Sequence, residues 1–260
     1  MTATACDTAP PALDEQEVRH LSDHGWVLLV DVLDDRACGE LRDGLDEMAR
    51  TRRLGAESTT ETTVVEHATF YSPLFLRWLE LPRVIAANRQ AMGQELLFQG
   101  DNAFIKRPHI ERTAAADRLA DPDGWGWHRG LRPKHGNQPH DDDPCLLNFS
   151  FLNNITYLSD VSAGDGATAI LDGSHRHEGT YASLKQRCPI VQPSARRGSV
   201  LLFTETLIHA GVPILSERVR HCMFHGFVPR FPWPPPIAPP VLLESILEPC
   251  LRLMLGGRCP

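Results

Sequence analysis

The N-terminal third of the chain switches repeatedly between helical and extended patterning. Leu13, Val18 and Leu21 recur at helical spacing among acids, which predicts a helix over Leu13–His24 that Gly25 ends. The unbroken apolar run Trp26–Val30 predicts a strand. Asp34 then fits an N-cap, and Leu41, Leu45 and Met48 form one face of a charged helix over Asp35–Arg53. Residues 54–69 are polar and Thr-rich, the pattern of a loop or flap. Ser72 and Pro73 open a helix through Glu80, Leu81–Pro82 breaks it, and a further helix is expected across Arg83–Met92.

From Glu95 the pattern shortens. Leu96–Phe98 and Ala103–Lys106 are expected as two short strands, followed by a long polar stretch at 107–145 rich in Pro, Gly, Asp and His. A loop of that length in a compact domain points to function. The apolar runs Leu146–Leu158, Thr168–Leu171, Ile190–Val191, Ser199–Phe203 and His221–Val228 follow, separated by turn signals at Ala163–Gly166 and Asp172–Ser174. That rhythm predicts an antiparallel barrel or jelly roll, mainly β with flanking helices. Six prolines at 232–240 predict an extended segment, and Leu242–Leu255 reads as a closing helix over the barrel mouth.

Composition narrows the class. At 260 residues, 42% hydrophobic and 23% charged, the chain is expected to form one globular domain over 13–260 behind a disordered tail at 1–12. A net charge of −7 argues against binding a nucleic-acid polymer, and no apolar run approaches the length of a membrane span. The N-terminus lacks the basic-then-apolar pattern of a secretory signal. Seven cysteines without a CxxC pair suggest reduced thiols in the cytoplasm.

Most of the twelve histidines are expected to be exposed or structural. Three segments lift two of them above that background. These are Trp127-His128-Arg129-Gly130, the stretch from Gly166 to Asp172-Gly173-Ser174-His175, and the run from Gly198 to His209-Ala210-Gly211, with Arg218 and Arg220 beyond it. A histidine and an acid separated by one residue, with a distant second histidine, is how non-haem Fe(II) sites hold their metal. Here Gly130 stands where the acid would be.

In order and spacing the three segments resemble the phytanoyl-CoA dioxygenase-like family of Fe(II)/2-oxoglutarate oxygenases. The opening His24-Gly-Trp-Val-Leu-Leu-Val and the strand ending Phe104-Ile105-Lys106-Arg107-Pro108 extend the likeness to about residues 15–230. The resemblance implies a double-stranded β-helix, a cupin-like jelly-roll barrel. It implies His128 and His209 as iron ligands, Arg220 on the far carboxylate of 2-oxoglutarate with Arg218 as its nearby competitor, and Asn102 as a further cosubstrate contact. A guanidinium suits that carboxylate because it is always charged and bidentate. His175 falls in a family turn, where a structural role is expected.

The family's third ligand, an Asp or Glu, falls at Gly130. Three readings follow. The favoured one resembles the halogenase branch, in which chloride fills the place the acid leaves, restoring both a ligand and a negative charge. Such an enzyme consumes 2-oxoglutarate and O2, abstracts hydrogen from an unactivated carbon and transfers chlorine to it. In the second, another acid, from Asp141–Asp143 or Glu205, restores a hydroxylase. In the third, the chain binds a ligand or partner without catalysis, against which the intact His128, His209 and Arg220 argue. Arg129, Arg132, Lys134 and His135 cluster after the first ligand, and Trp125 offers a flat surface. Together they suggest a small anionic substrate, with a free nucleotide as the first candidate ahead of a carrier-protein-bound group.

Overall fold

The computed structural model describes residues 12–51, 58–79, 81–93, 95–130, 151–229 and 253–255. The first helix, α1 (Glu15–His24), is set by a capping box: Asp14 accepts from the Gln16 and Glu17 amides, and Glu17 reaches back to the Asp14 N–H. It ends at Gly25, at φ +82°, where an added Cβ would lie 2.5 Å from His175 Nδ1. Only glycine serves that turn, on grounds of both conformation and space. Strand β1 (Trp26–Leu29) follows, then the amphipathic α2 (Asp35–Thr51), burying Leu41, Leu45 and Met48 as their spacing predicts.

Residues 58–71 depart from the expected loop. Thr62–Glu66 forms strand β2, and Ala68–Tyr71 a single helical turn, α3. The β-branched run Thr62-Thr-Val-Val finds an edge to pair with, an override of local polarity that only the partner strand supplies. Helices α4 (Pro73–Leu79) and α5 (Pro82–Met92) lie where their prolines place them. The two short strands expected after Glu95 are one long strand, β3 (Leu96–Lys106), with a register irregularity between Phe98 and Gly100. A bulge of this kind lets one strand bend without ending, which sequence patterning reads as a break. Part of the supposed long loop is α6 (Arg112–Ala120), followed by a 3₁₀ turn at Pro122–Gly124.

The C-terminal half supplies β4 (Leu152–Tyr157), β5 (Ala169–Leu171), the short helix α7 (Tyr181–Leu184), β6 (Ile190–Val191), β7 (Val200–Thr204), β8 (His209–Ala210) and β9 (Arg220–Pro229). They assemble into two antiparallel sheets, β1-β7-β4-β9-β3-β2 and β6-β5-β8. This is the expected mainly β, jelly-roll architecture with flanking helices. One face of the large sheet presents Leu152, Leu202, Met223 and Phe227 to a core shared with the helices. The other presents Ile155, Tyr157, Leu201, Phe203 and Cys222 to the barrel interior. The alternation follows directly from strand geometry. Met254 and Leu255 bury in the helix-side core, and the rest of the expected closing helix, 242–252, lies outside the described residues. The Pro-rich segment and the tail at 1–11 lie outside the described residues. Among the described residues the cysteines Cys38, Cys188 and Cys222 are free and buried, and no helix is long and apolar enough to cross a membrane.

A polar row crosses the helix-side face. Asn88 donates to Asn154 at 2.8 Å, Asn154 lies opposite His225, and His225 lies opposite Asp101. Asp101 is 4% exposed, and burial pushes its carboxyl up to about 7 despite a hydrogen bond from the Thr69 amide. Its folded pKa lies above the ordinary carboxylate value, so the folded state binds more protons there, and stability falls as pH rises from about 4 to 7. Asp101→Asn is expected to match the wild type below pH 4. It should exceed it above pH 7, by at most about 4 kcal/mol. Urea denaturation at pH 4 and pH 8 checks this.

Candidate active site

The His128 segment is held against β8 as a one-residue extension of the small sheet. The His128 amide donates to the His209 carbonyl at 3.0 Å, and the His209 amide donates back at 2.9 Å. Two residues on, the Gly130 amide donates to the Glu205 carbonyl at 2.9 Å. The approach to His128 is fixed by aromatic packing. Trp127 stacks on Tyr181 at 4.5 Å and on Trp125 at 5.7 Å, and the Trp127 and Trp125 indoles donate to the carbonyls of Pro122 and Arg118.

This pairing brings the two imidazole rings to a centroid separation of 4.4 Å. Each ring is oriented by its own backbone. His128 Nδ1 lies 3.0 Å from the Gly126 carbonyl, and His209 Nδ1 lies 2.9 Å from the Leu207 carbonyl. When each Nδ1 donates there, each Nε2 is left as an acceptor, the tautomer that a metal-binding histidine needs. Burial, and secondarily His128, pushes His209 down to about 4, so its ring is neutral at physiological pH. His128 is exposed, while His209 packs edge-on against Phe203 at 4.7 Å.

Both histidines open onto a cavity of about 380 Å³, lined also by Asn102, Phe104, Phe151, Asn153, Glu205 and Phe224. The Asn153 amide donates to Glu205 Oε2. Burial pushes the Glu205 carboxyl up, and Asn153 and the charge of His128 oppose that rise. Among the described residues no three His, Cys, Asp or Glu side chains already stand in a metal-binding cluster.

Beneath the cavity, Arg220 on β9 and Lys106 on β3 are cross-strand partners. Arg220 is buried; it donates to the Gly166 carbonyl, and its Nε is left without a partner. Lys106 Nζ donates to the Val212 carbonyl at 2.6 Å, and burial followed by Arg220 and Arg118 pushes it down to about 8. A buried and a half-buried cation that repel each other, one with an unpartnered N–H, fit a carboxylate. Nearby, the Tyr157 hydroxyl donates to Thr168 Oγ1 at 3.1 Å. The donor set therefore suits iron at the mouth and a dicarboxylate reaching inward.

Of the sequence-predicted residues, His128, His209 and Asn102 share the cavity and Arg220 lies below it. Arg218 instead lies exposed, 3.7 Å from Asp165. Two substrate candidates are placed elsewhere. Trp125 is buried and braces α6, and Arg129 turns its guanidinium to the carbonyls of Ser174 and His177. The backbone pairing at 128–130 aims them into the supporting layer. Arg132, Lys134, His135 and Asp141–Asp143 lie outside the described residues. His175, with Nε2 on the Ser22 carbonyl at 3.0 Å, is structural, as expected. Lys106 is not singled out by the sequence as a site candidate, because a lysine ending a strand reads as solvated. Its place on the inward-facing parity of β3 was the available signal.

The profile of the family described as phytanoyl-CoA dioxygenase (PhyH) matches residues 21–222. An uncharacterized protein of Mycobacterium bovis, Mb1539, is 25% identical over 224 residues, covering 80% of this chain and 72% of its own length. Among solved structures, HygX from Streptomyces hygroscopicus with nickel and 2-oxoglutarate bound superposes with a TM-score of 0.66. It is 19% identical and covers 85% of this chain and 89% of its own. The non-heme alpha ketoglutarate dependent carbocyclase SnoK from nogalamycin biosynthesis gives 0.64 at 16% identity, with 84% of each chain covered.

Two measurements check the cosubstrate end. Arg220→Ala is expected to weaken 2-oxoglutarate binding to the Ni(II)-loaded protein by about 30-fold or more, read by calorimetry. Wild-type affinity should also fall above about pH 8 as Lys106 loses its proton, and Lys106→Arg should flatten that fall.

Proposed function

This chain belongs to the phytanoyl-CoA dioxygenase family, and on that premise we propose that it oxidises an unactivated C–H bond of a small molecule, using Fe(II), 2-oxoglutarate and O2. One juxtaposition carries the reading: two imidazoles oriented by backbone carbonyls through Nδ1 at the cavity mouth, with buried Arg220 and half-buried Lys106 paired across β9 and β3 on the barrel-facing side. His128 and His209 would hold the iron. Arg220 and Lys106 would bind the far carboxylate of 2-oxoglutarate, with Asn102 alongside. Phe104 and Phe224 line the cavity, and Phe203 packs behind His209. Iron, when bound, would supply the redox centre at which O2 takes two electrons from decarboxylation of 2-oxoglutarate and two from the C–H bond.

Two balanced outcomes are open. In oxygenation, R–H, 2-oxoglutarate and O2 give R–OH, succinate and CO2. In chlorination, the same reactants with chloride and a proton give R–Cl, succinate, CO2 and water. Gly130 favours chlorination, because it leaves a ligand place that a halide fits. The Glu205 carboxyl, which stands in the space a Gly130 side chain would take, favours oxygenation, and we adopt that outcome. Chlorination is the second reading.

For the substrate, what the solved neighbours bind or make is the support for a class. One HygX structure holds hygromycin B, and SnoN and SnoK come from nogalamycin biosynthesis. They support a free antibiotic-type metabolite over a carrier-bound group. No Lys or Arg is among the described residues lining the cavity mouth, so an anionic substrate such as a nucleotide depends on Arg132, Lys134 and His135.

Incubation of metabolite panels with Fe(II), 2-oxoglutarate, O2 and chloride, followed by mass spectrometry, tests this. The expected result is substrate-dependent succinate and a product heavier by one oxygen. A chlorine-for-hydrogen product would establish the second reading, and no succinate with any substrate would count against both. If the substrate is phosphorylated, Arg132→Glu and Lys134→Glu should raise its KM.

A further inference from the structure

We infer that Glu205 is the displaced carboxylate ligand of this centre, and that residue 130 is glycine to make room for it. The inference rests on the Fe(II) reading of His128 and His209. Gly130 does not have the positive φ that demands glycine, so its backbone would accept any residue. What excludes a side chain is space. A Cβ built on Gly130 would fall within the Glu205 side chain, against Oε1, Cδ and Cγ. The carboxyl of Glu205 thus reaches the place from which the family's acid would project, having started from the opposite segment.

Its reach is fixed by the same pairing that sets the histidines. The Gly130 amide bonds the Glu205 carbonyl, and the His128 and His209 backbones exchange two hydrogen bonds, so all three side chains leave one short ladder. They also line one cavity. The carboxyl is half-buried there, with no Lys or Arg among the described lining residues, and Asn153 is its hydrogen-bond donor. An acid so placed is short of positive charge, which a divalent cation would supply. Glutamate has the rotatable bonds to close the remaining gap to the two Nε2 atoms. Asn153 on Oε2 would then orient Oε1 as a ligand, the supporting bond that carboxylate ligands ordinarily receive.

The assignment inverts the meaning of Gly130. If the position were vacant for a halide, alanine would serve as well as glycine. If Glu205 fills it, a single methyl group displaces a ligand.

The test measures Co(II) affinity of the full-length protein by anaerobic equilibrium dialysis, and chloride perturbation of the Fe(II)–2-oxoglutarate charge-transfer band. Glu205→Gln keeps the shape and the contact with Asn153, and is expected to weaken Co(II) binding by about tenfold or more. Gly130→Ala should weaken it comparably, although it removes no ligand. The double variant Gly130→Asp/Glu205→Ala, which returns the acid to the opposite segment, should recover most of the affinity. Chloride should leave the wild-type band unchanged and shift that of Glu205→Ala. Wild-type affinity in Glu205→Gln, or a chloride shift in the wild type, overturns the assignment. Should Gly130→Ala melt at a lower temperature than wild type, Glu205→Gln alone decides. A wild type that binds neither metal nor 2-oxoglutarate removes the underlying Fe(II) reading, a result distinct from one that binds both without needing Glu205.

Discussion

The site depends on one short antiparallel pairing. Where residues 128–130 meet 205–209, three backbone hydrogen bonds set the separation of the imidazoles and the reach of Glu205 together. A slip of one residue would turn His128 out of the barrel and Gly130 away from Glu205, because side chains alternate along an extended segment. The aromatic stack Trp125–Trp127–Tyr181 and the bonds of Arg129 to the 174–177 turn hold that register from outside. Trp125 and Arg129, candidates for substrate contact in the sequence, therefore support the segment that carries His128.

The second constraint is electrostatic. Lys106 and Arg220 are cross-strand partners on the barrel-facing side, where drawing two like charges out of water is unfavourable unless an anion joins them. On the proposed function, the far carboxylate of 2-oxoglutarate would offset that repulsion. At the mouth the imbalance is opposite, with an acid short of a cation.

The sequence made much of this legible, for identifiable reasons. Short apolar runs punctuated by turn signals pointed to the barrel, and the family resemblance pointed to His128, His209 and Arg220 as the candidate site. Strand β2 was hidden because Thr62–Glu66 is extended only through pairing with β3, and the bulge near Gln99 made one strand resemble two. Gly130 was legible as an absence, but the meaning of that absence was not. Glu205 was one of several nearby acids until folding brought its carboxyl across the ladder. A residue seventy-five positions away in sequence determines whether the glycine is a vacancy or a clearance.

The central claim is that this clearance belongs to Glu205. A crystal structure of the protein loaded anaerobically with Fe(II) and 2-oxoglutarate, grown in the presence of chloride, tests it most directly. The expected result is a carboxylate oxygen of Glu205 bound to iron together with His128 Nε2 and His209 Nε2. A chloride or water bound to iron beside Gly130, with Glu205 still turned to Asn153, would contradict it.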